Sequence, residues 1–213
     1  MKLKASCLAA ALLLGLVPAV CPGQDFSADV VYLATTKPEA QSTSAVNPAR
    51  PPAKLYVSKD KMRLETRGTS GTILLVNEAE HTAIALYPAQ KVYQPLGRGP
   101  SQYFRGDDPE NACPAWQKVA DKKIVCEKVG HETVEGRETV KYRNKSASDD
   151  ATSSVWIDSA LKFVVKWESA SAGAELHNIK EAQQAADLFV IPAGYDVLKP
   201  QKAKSKGFSQ KSL

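Results

Sequence analysis

The chain has 213 residues and a formal net charge of +5, with 28 lysines and arginines against 23 acidic residues. This length suits one domain with a full core, or two small domains. The excess of positive charge lies at the ends. Without Lys2, Lys4 and the five lysines after residue 198, 21 basic residues stand against 23 acidic ones, a net charge of −2. A nearly neutral body argues against a nucleic-acid-binding protein.

The first 23 residues have the composition of a secretory signal peptide. Lys2 and Lys4 precede an apolar run over 8–17 that is too short to cross a bilayer comfortably. Cys21-Pro22-Gly23 then supplies small residues for cleavage after Gly23. The alternative, a buried N-terminal helix, fits poorly with the uniform apolarity and the Pro/Gly break. The sequence therefore predicts an exported protein, periplasmic or secreted, that is not transmembrane after cleavage of residues 1–23.

Cys21 raises a second possibility, attachment of a lipid to its side chain. A lipid-modified cysteine favours a Leu-like residue three positions before it, and Pro18-Ala19-Val20 provides none there. A lipid anchor through Cys21 is the less favoured expectation.

After the signal peptide, alternating apolar residues predict a series of strands. The first covers Asp25–Thr36, and a Pro-, Ser- and Ala-rich stretch, Lys37–Pro52, then reads as a long flexible loop. Further strands are predicted, with turn residues between them, at Ala53–Val57, Lys61–Arg67, Thr72–Asn77, Thr82–Tyr87 and Lys91–Gln94. Strands at intervals of about ten residues are typical of an all-β sandwich or barrel.

A short helix is predicted where this pattern breaks. Asp107 or Asp108 can cap it, Pro109 suits its first turn, and Asn111–Val119 forms its body. Cys113 lies on this helix and Cys126 on the strand that follows.

Cys113 and Cys126 are the two cysteines outside the signal peptide. An even pair in an exported protein predicts a disulfide bond, which would close a loop of about a dozen residues and stabilise the fold by roughly 3 kcal/mol. Two free thiols, or half of a metal site, are the weaker alternatives.

The second half of the chain returns to strands and ends in a polar tail. Strands are predicted at Ile124–Gly130, Glu132–Val134, Glu138–Asn144, Ser153–Asp158, Phe163–Trp167 and Glu175–Glu181, with turns at Ser159–Leu161 and Ala172-Gly173. Pro192 and Gly194 within Leu188–Tyr195 end regular pairing. The total is about ten strands in a single domain, 24–198. The tail, 199–213, is expected to be a basic disordered end, with contact to an anionic surface as the alternative.

No reaction can be read from the sequence. The chain lacks the motifs of a nucleophile elbow, a zinc helix or a phosphate-binding glycine loop. His81, His131 and His177 lie near Glu80, Glu132 and Glu175, and are interpreted as surface histidines. We therefore predict no catalytic residue, no metal, no cofactor and no enzymatic activity. Trp116, Trp156 and Trp167 fit either a packed core or the lining of a lipid-sized cavity.

Several segments resemble a known family. Val155-Trp156-Ile157-Asp158, Lys166, Gly173, Asn178-Ile179 and Leu188–Tyr195 resemble the C-terminal half of bacterial LolA-like outer-membrane lipoprotein-sorting proteins, most closely their DUF4412-type periplasmic relatives. Phe26–Asp29 resembles that family's first strand, and Gly130–Arg137 one of its hairpins.

The resemblance implies a fold and a type of ligand. It implies a mainly β, open antiparallel half-barrel with one or two short helices, whose concave face can hold acyl chains. The expected function is therefore a periplasmic carrier or chaperone-like protein for lipid or lipoprotein acyl chains. The alternative is a cell-envelope module that binds a partner protein through a sheet edge or the Lys37–Pro52 loop. The resemblance transfers no ligand-binding residue to this chain.

Overall fold

The computed structural model describes residues 25–34, 45–47, 50–68, 71–97, 105–119, 124–146 and 151–198. The predicted signal peptide, the basic tail and most of the predicted loop at Lys37–Pro52 lie outside these residues. The strands are β1 (Phe26–Ala34), β2 (Ala45–Val46), β3 (Ala53–Ser58), β4 (Lys61–Glu65), β5 (Ile73–Asn77), β6 (Thr82–Tyr87), β7 (Val92–Gly97), β8 (Ile124–Val134), β9 (Arg137–Ser146), β10 (Thr152–Asp158), β11 (Phe163–Ser169), β12 (Gly173–Glu181) and β13 (Asp196–Val197). The helix α1 covers Cys113–Val119.

All of these strands belong to one open sheet with β1 near its centre. The order is β13-β7-β6-β5-β4-β3-β1-β12-β11-β10-β9-β8, and β2 also pairs with β1. We call β3–β7 the first wing and β8–β12 the second wing. Both wings are antiparallel meanders, whereas β13 runs parallel to β7. Because β8 and β13 end the order without pairing to each other, the sheet is not closed into a barrel.

The predicted fold class is confirmed: the described chain is mainly β, with an open antiparallel sheet and one short α-helix. Eleven of the thirteen described strands have five residues or more, which agrees with the expected number. The two additional strands, β2 and β13, have two residues each.

Tight turns explain why the meanders form where the sequence predicted them. Lys59 has φ 49° between β3 and β4, and Glu135 and Gly136 have φ 48° and 75° between β8 and β9. Two consecutive residues with positive φ give a turn whose twist matches that of the flanking strands, and glycine adopts this conformation at no steric cost.

Several predicted boundaries differ from the observed ones, and nearby contacts explain three of these differences. Ile124–Gly130 and Glu132–Val134 form the single strand β8, because a bulge between Lys128 and Gly130, where Gly130 has φ 151°, absorbs the irregularity without ending the pairing. β12 begins at Gly173, since the turn before it closes earlier through the bond from Ser169 N to Ala172 O (2.8 Å).

The helix begins at Cys113 rather than Asn111. Asp108 does not cap it, because the side chain and the carbonyl of Asp108 accept hydrogen bonds from Glu110 N (3.1 Å) and Asn111 N (3.0 Å) in a separate turn.

Helix α1 packs on one face of the second wing, and the predicted disulfide fixes it there. Trp116 is 3 % exposed and meets Tyr142 edge-on, with ring centroids 5.5 Å apart. The Tyr142 hydroxyl donates to Pro109 O (2.8 Å) and accepts from Ala112 N (3.2 Å). Cys113 and Cys126 are bonded, with Cα atoms 5.5 Å apart, so the helix is linked covalently to β8. This confirms the disulfide.

The residues after β12 cross the first wing before they rejoin the sheet. They form a 3-10 turn at Ala186–Phe189, and Leu188 O accepts a bond from Arg63 Nη1 (2.8 Å). Leu75 lies opposite Arg63 in the register, on the same face of the wing, and is 6 % exposed. Leu188–Tyr195 has no regular pairing before β13, as Pro192 and Gly194 predicted.

Candidate functional site

The main core lies on the inward face of the sheet, where β1 and the first wing meet the second wing. Aligned positions on neighbouring strands form two rows of side chains on this face. The first row consists of Phe26, Val57, Met62, Val76 and Ala83. The second row consists of Ala28, Leu55, Leu64, Leu74 and Ala85.

The first row is sealed. Each of its side chains is 5 % exposed or less. Phe163 of the second wing meets Phe26 edge-on, with ring centroids 5.2 Å apart. Beside them, Arg105 pairs with Glu78 (Nε to Oε2, 2.8 Å) and its guanidinium lies 5.8 Å from the Phe163 ring centroid. This end of the inward face is therefore packed against the protein itself.

Burial raises the pKa of Glu78, and the ion pair with Arg105 offsets only part of this rise. Arg105 therefore offsets part of the free-energy cost of burying the charged Glu78 carboxylate.

The second row is less completely covered. Leu64 and Leu74 pair directly with each other on β4 and β5 and are only partly buried. Tyr32 and Trp167, which pack against the same core, are also partly buried, and the guanidinium of Arg50 lies 3.5 Å from the Tyr32 ring centroid. We call these four partly buried side chains, Leu64, Leu74, Tyr32 and Trp167, the open end of the inward face. The buried residues Leu55, Ala53 and Val30 lie between the leucine pair and Tyr32, and Trp167 also packs against the cluster under α1.

A charged network surrounds Trp156 on the second wing. Its ring lies between the ammonium groups of Lys141 and Lys166, 4.7 and 5.0 Å from the ring centroid. Its indole N–H donates to Glu132 Oε2 (2.7 Å), and Lys141 binds the other oxygen of Glu132 (2.9 Å). Trp156 is 4 % exposed and belongs to the main core, so its position fits the packed-core interpretation.

Two groups in this network have shifted pKa values. Burial works against ionisation of Glu132, but the bonds from Trp156 and Lys141 outweigh it and lower the pKa. Burial likewise disfavours the charged form of Lys166, but its bonds to Glu175 and Glu168 outweigh it and raise the pKa. Both groups are held in their charged forms.

The structure separates the three histidines that the sequence singled out. His131 Nε2 lies 3.5 Å from Glu110 rather than beside Glu132, and His81 lies in the turn between β5 and β6. His177 lies between two carboxylates: Nδ1 is 3.2 Å from Glu135 and Nε2 is 3.4 Å from Glu175. Of the three expected carboxylate neighbours, only Glu175 of His177 is found among the described ion pairs.

The edge strand β8 exposes two apolar side chains. Val125 is 61 % exposed and Val129 42 %. β8 pairs with β9 on one side and ends the order of the sheet on the other. Among the described residues, no helix is long and apolar enough to span a membrane.

Comparison with known proteins adds information on the fold. No protein-family profile matches the chain. No curated protein sequence matches it either.

Among solved structures, an uncharacterised conserved protein from Thermus thermophilus is 11 % identical, with a TM-score of 0.50 over 82 % of this chain and 89 % of that one. The MucA/MucB complex from Pseudomonas aeruginosa is 10 % identical, with a TM-score of 0.47 over 79 % of this chain and 56 % of that one. A LolA superfamily protein from Nitrosomonas europaea is 10 % identical, with a TM-score of 0.34 over 79 % and 91 %.

At these identities, a match can show only a shared fold. The Thermus thermophilus structure covers most of both chains and therefore shares the fold of this protein. The open, curved antiparallel sheet with a short helix is the fold that the resemblance to LolA-like proteins implied, and the sheet order confirms it. Assignment to the DUF4412-type relatives stays a prediction.

Proposed function

We propose that this protein is an exported, non-catalytic binding protein that holds lipid acyl chains at the open end of its inward face. The observation that carries the proposal is the contrast in burial between the two rows. The first row is fully buried, with Phe163 packed against Phe26, whereas Leu64 and Leu74 in the second row are adjacent leucines left partly exposed. An acyl chain laid on them would remove apolar surface from water, at about 25 cal/mol per Å².

The partly buried aromatic residues at the same end favour a chain-like ligand. Tyr32 and Trp167 each combine an apolar ring with a polar group, the type of side chain found where an apolar site meets water, although Arg50 covers one face of the Tyr32 ring. The resemblance of the sequence to LolA-like proteins and the predicted signal peptide support the same class of ligand and an extracytoplasmic location.

A fluorescent fatty acid such as cis-parinaric acid tests this proposal. We expect saturable binding to protein purified from a bacterial periplasm, and competition by unlabelled palmitate. The double variant Leu64→Gln/Leu74→Gln should bind at least about tenfold more weakly, because each amide would leave a polar group against the acyl chain, at about 1–3 kcal/mol.

Val125→Gln is the matched control for these variants. It makes the same kind of change on an exposed strand outside the inward face, and it should leave affinity unchanged. The proposal is contradicted if the folded protein shows no saturable binding of the fatty acid, or if Val125→Gln lowers the affinity as much as the double variant does.

A second candidate function is supported by the β8 edge. Val125 and Val129 are exposed on a strand that has no neighbour on one side among the described strands, which suits pairing with a strand of a partner protein. The Lys37–Pro52 stretch was the other predicted partner site. Affinity capture from envelope extracts should then recover one protein stoichiometrically, and Val129→Lys or deletion of 37–44 should release it. If neither variant changes recovery, this candidate fails.

A further inference from the structure

A group of three metal-ligand side chains lies on the second wing, on the face of β12 opposite the one that Ala174 shares with Trp167 and Tyr32 of the open end. Glu135 comes from the turn between β8 and β9, and Glu175 and His177 come from β12. One ligand atom from each residue lies within 4.8 Å of the other two. Glu135 is 42 residues from His177 in the sequence, and β12 is separated from the β8–β9 hairpin by β10 and β11 in the sheet. Curvature of the second wing therefore brings the three residues together.

Neighbouring contacts hold the two sides of this group in place. Arg137, two residues after Glu135, pairs with Glu181 of β12 (2.8 Å), which holds the hairpin turn against that strand. Lys166 binds Glu175 Oε2 (3.1 Å), which leaves Oε1 directed at His177. Lys166 therefore fixes the orientation of the Glu175 carboxylate, although its positive charge offsets part of the attraction of Glu175 for a cation.

The residue types favour one class of ion. An imidazole nitrogen with two carboxylate oxygens suits zinc and similar transition metals, whereas calcium and magnesium prefer oxygen ligands alone. Donors of a tetrahedral zinc site at about 2.0–2.1 Å from the ion stand about 3.4 Å from one another. The observed limit of 4.8 Å requires a closure of about 1.5 Å, which the partly exposed side chains of Glu135 and His177 can supply by rotation.

We propose that Glu135, Glu175 and His177 form a zinc site in which the ion links the β8–β9 turn to β12, with water completing the coordination. The two carboxylates supply negative charge, and one imidazole nitrogen of His177 supplies the third donor. The ion would fix the curvature of the second wing. This site is separate from the open end, and its existence does not depend on the binding of acyl chains.

Titration calorimetry with zinc chloride on the exported, disulfide-containing protein tests the proposal. We expect one site per chain and no heat above background with magnesium chloride. His177→Ala should weaken zinc binding at least tenfold. Glu135→Gln, at a side chain that is 45 % exposed, is the second variant and should also weaken it without impairing folding.

His131→Ala is the matched control, because that histidine also lies beside a carboxylate but belongs to no group of three potential ligands among the described residues. It should bind zinc as the wild type does. Hydrogen exchange should slow at the amides of the β8–β9 turn when zinc is added. Absence of binding, equal effects of His177→Ala and His131→Ala, or unchanged exchange at the turn overturns the proposal.

Discussion

Asp158 joins three parts of the second wing and is the residue whose loss should weaken the fold most clearly. It is 1 % exposed, and its Oδ1 accepts bonds from Ala160 N (2.9 Å) and Leu161 N (2.7 Å). Its Oδ2 accepts a bond from Arg137, which also pairs with Glu181. One carboxylate thus holds the β10–β11 turn, the β8–β9 hairpin and, through Arg137, β12.

Asp158→Ala removes these contacts together. The buried Leu161 amide loses its acceptor, at about 1–3 kcal/mol, and the charge-assisted bond from Arg137 is worth about 1.5–3 kcal/mol. Arg137 is 25 % exposed and regains water, so we expect a net loss near the lower end of the sum, about 3 kcal/mol. Asp158→Asn keeps one oxygen acceptor and should cost about half as much.

Urea unfolding followed by tryptophan fluorescence measures these differences. Glu181→Ala is the control, since its ion pair is exposed and should contribute less than about 1 kcal/mol. An Asp158→Ala protein within about 1 kcal/mol of wild type, or a Glu181→Ala loss of equal size, would refute the assignment of Asp158 as the residue that holds these elements together.

Three further predictions concern the disulfide, a carboxylate and a glycine. Replacing Cys113 and Cys126 with serine should lower the unfolding free energy by roughly 3 kcal/mol in urea titrations; a change under about 1 kcal/mol would contradict a stabilising role. Burial alone would raise the pKa of Glu132, but its hydrogen bonds lower the pKa below the ordinary 4.5. The contribution of Glu132 to the unfolding free energy is therefore fully present above pH 4.5 and is lost as the pH falls through its lowered pKa. Glu132→Gln should therefore destabilise the protein at neutral pH and much less in acid, and a difference independent of pH would contradict this. Gly106→Ala should lower the unfolding free energy, measured by thermal unfolding, by about 1–3 kcal/mol, because the new Cβ would lie 2.9 Å from Cδ1 of the fully buried Ile157. An unchanged stability would show that the Ile157 side chain moves aside without cost.

Local sequence patterns were sufficient to predict most of the strands and turns of the fold. Alternation across Val155, Trp156 and Ile157 predicted two different faces, and the structure places Ile157 beneath α1 and Trp156 in the main core. Ser58, Asp60 and Gly136 indicated turns by residue type, since Ser, Asp and Gly are common in turns; the positive φ of Lys59 and Glu135 is not specified by their residue types. The disulfide was predicted from the even number of cysteines outside the predicted signal peptide.

The remaining features depend on long-range geometry. The sequence could not show that β8 continues through Gly130, because a glycine at this position is equally compatible with a β-bulge and with the end of a strand. It paired His131 with the adjacent Glu132, whereas the bulged, twisted hairpin brings His131 to Glu110 and directs Glu132 to Trp156. The proximity of Glu135 to His177, and the difference in burial between Leu55 and Leu64, arise from sheet curvature, which strand periodicity does not specify.

The most direct test of acyl-chain binding is photocrosslinking with a diazirine-bearing fatty acid, followed by mass-spectrometric mapping of the labelled residues. If the inward face holds the chain, labels should fall on Leu64, Leu74 and their neighbours on β4 and β5, and excess palmitate should remove them. Labelling confined to the β8 edge, or labelling that palmitate does not reduce, would contradict a fatty-acid site on the inward face.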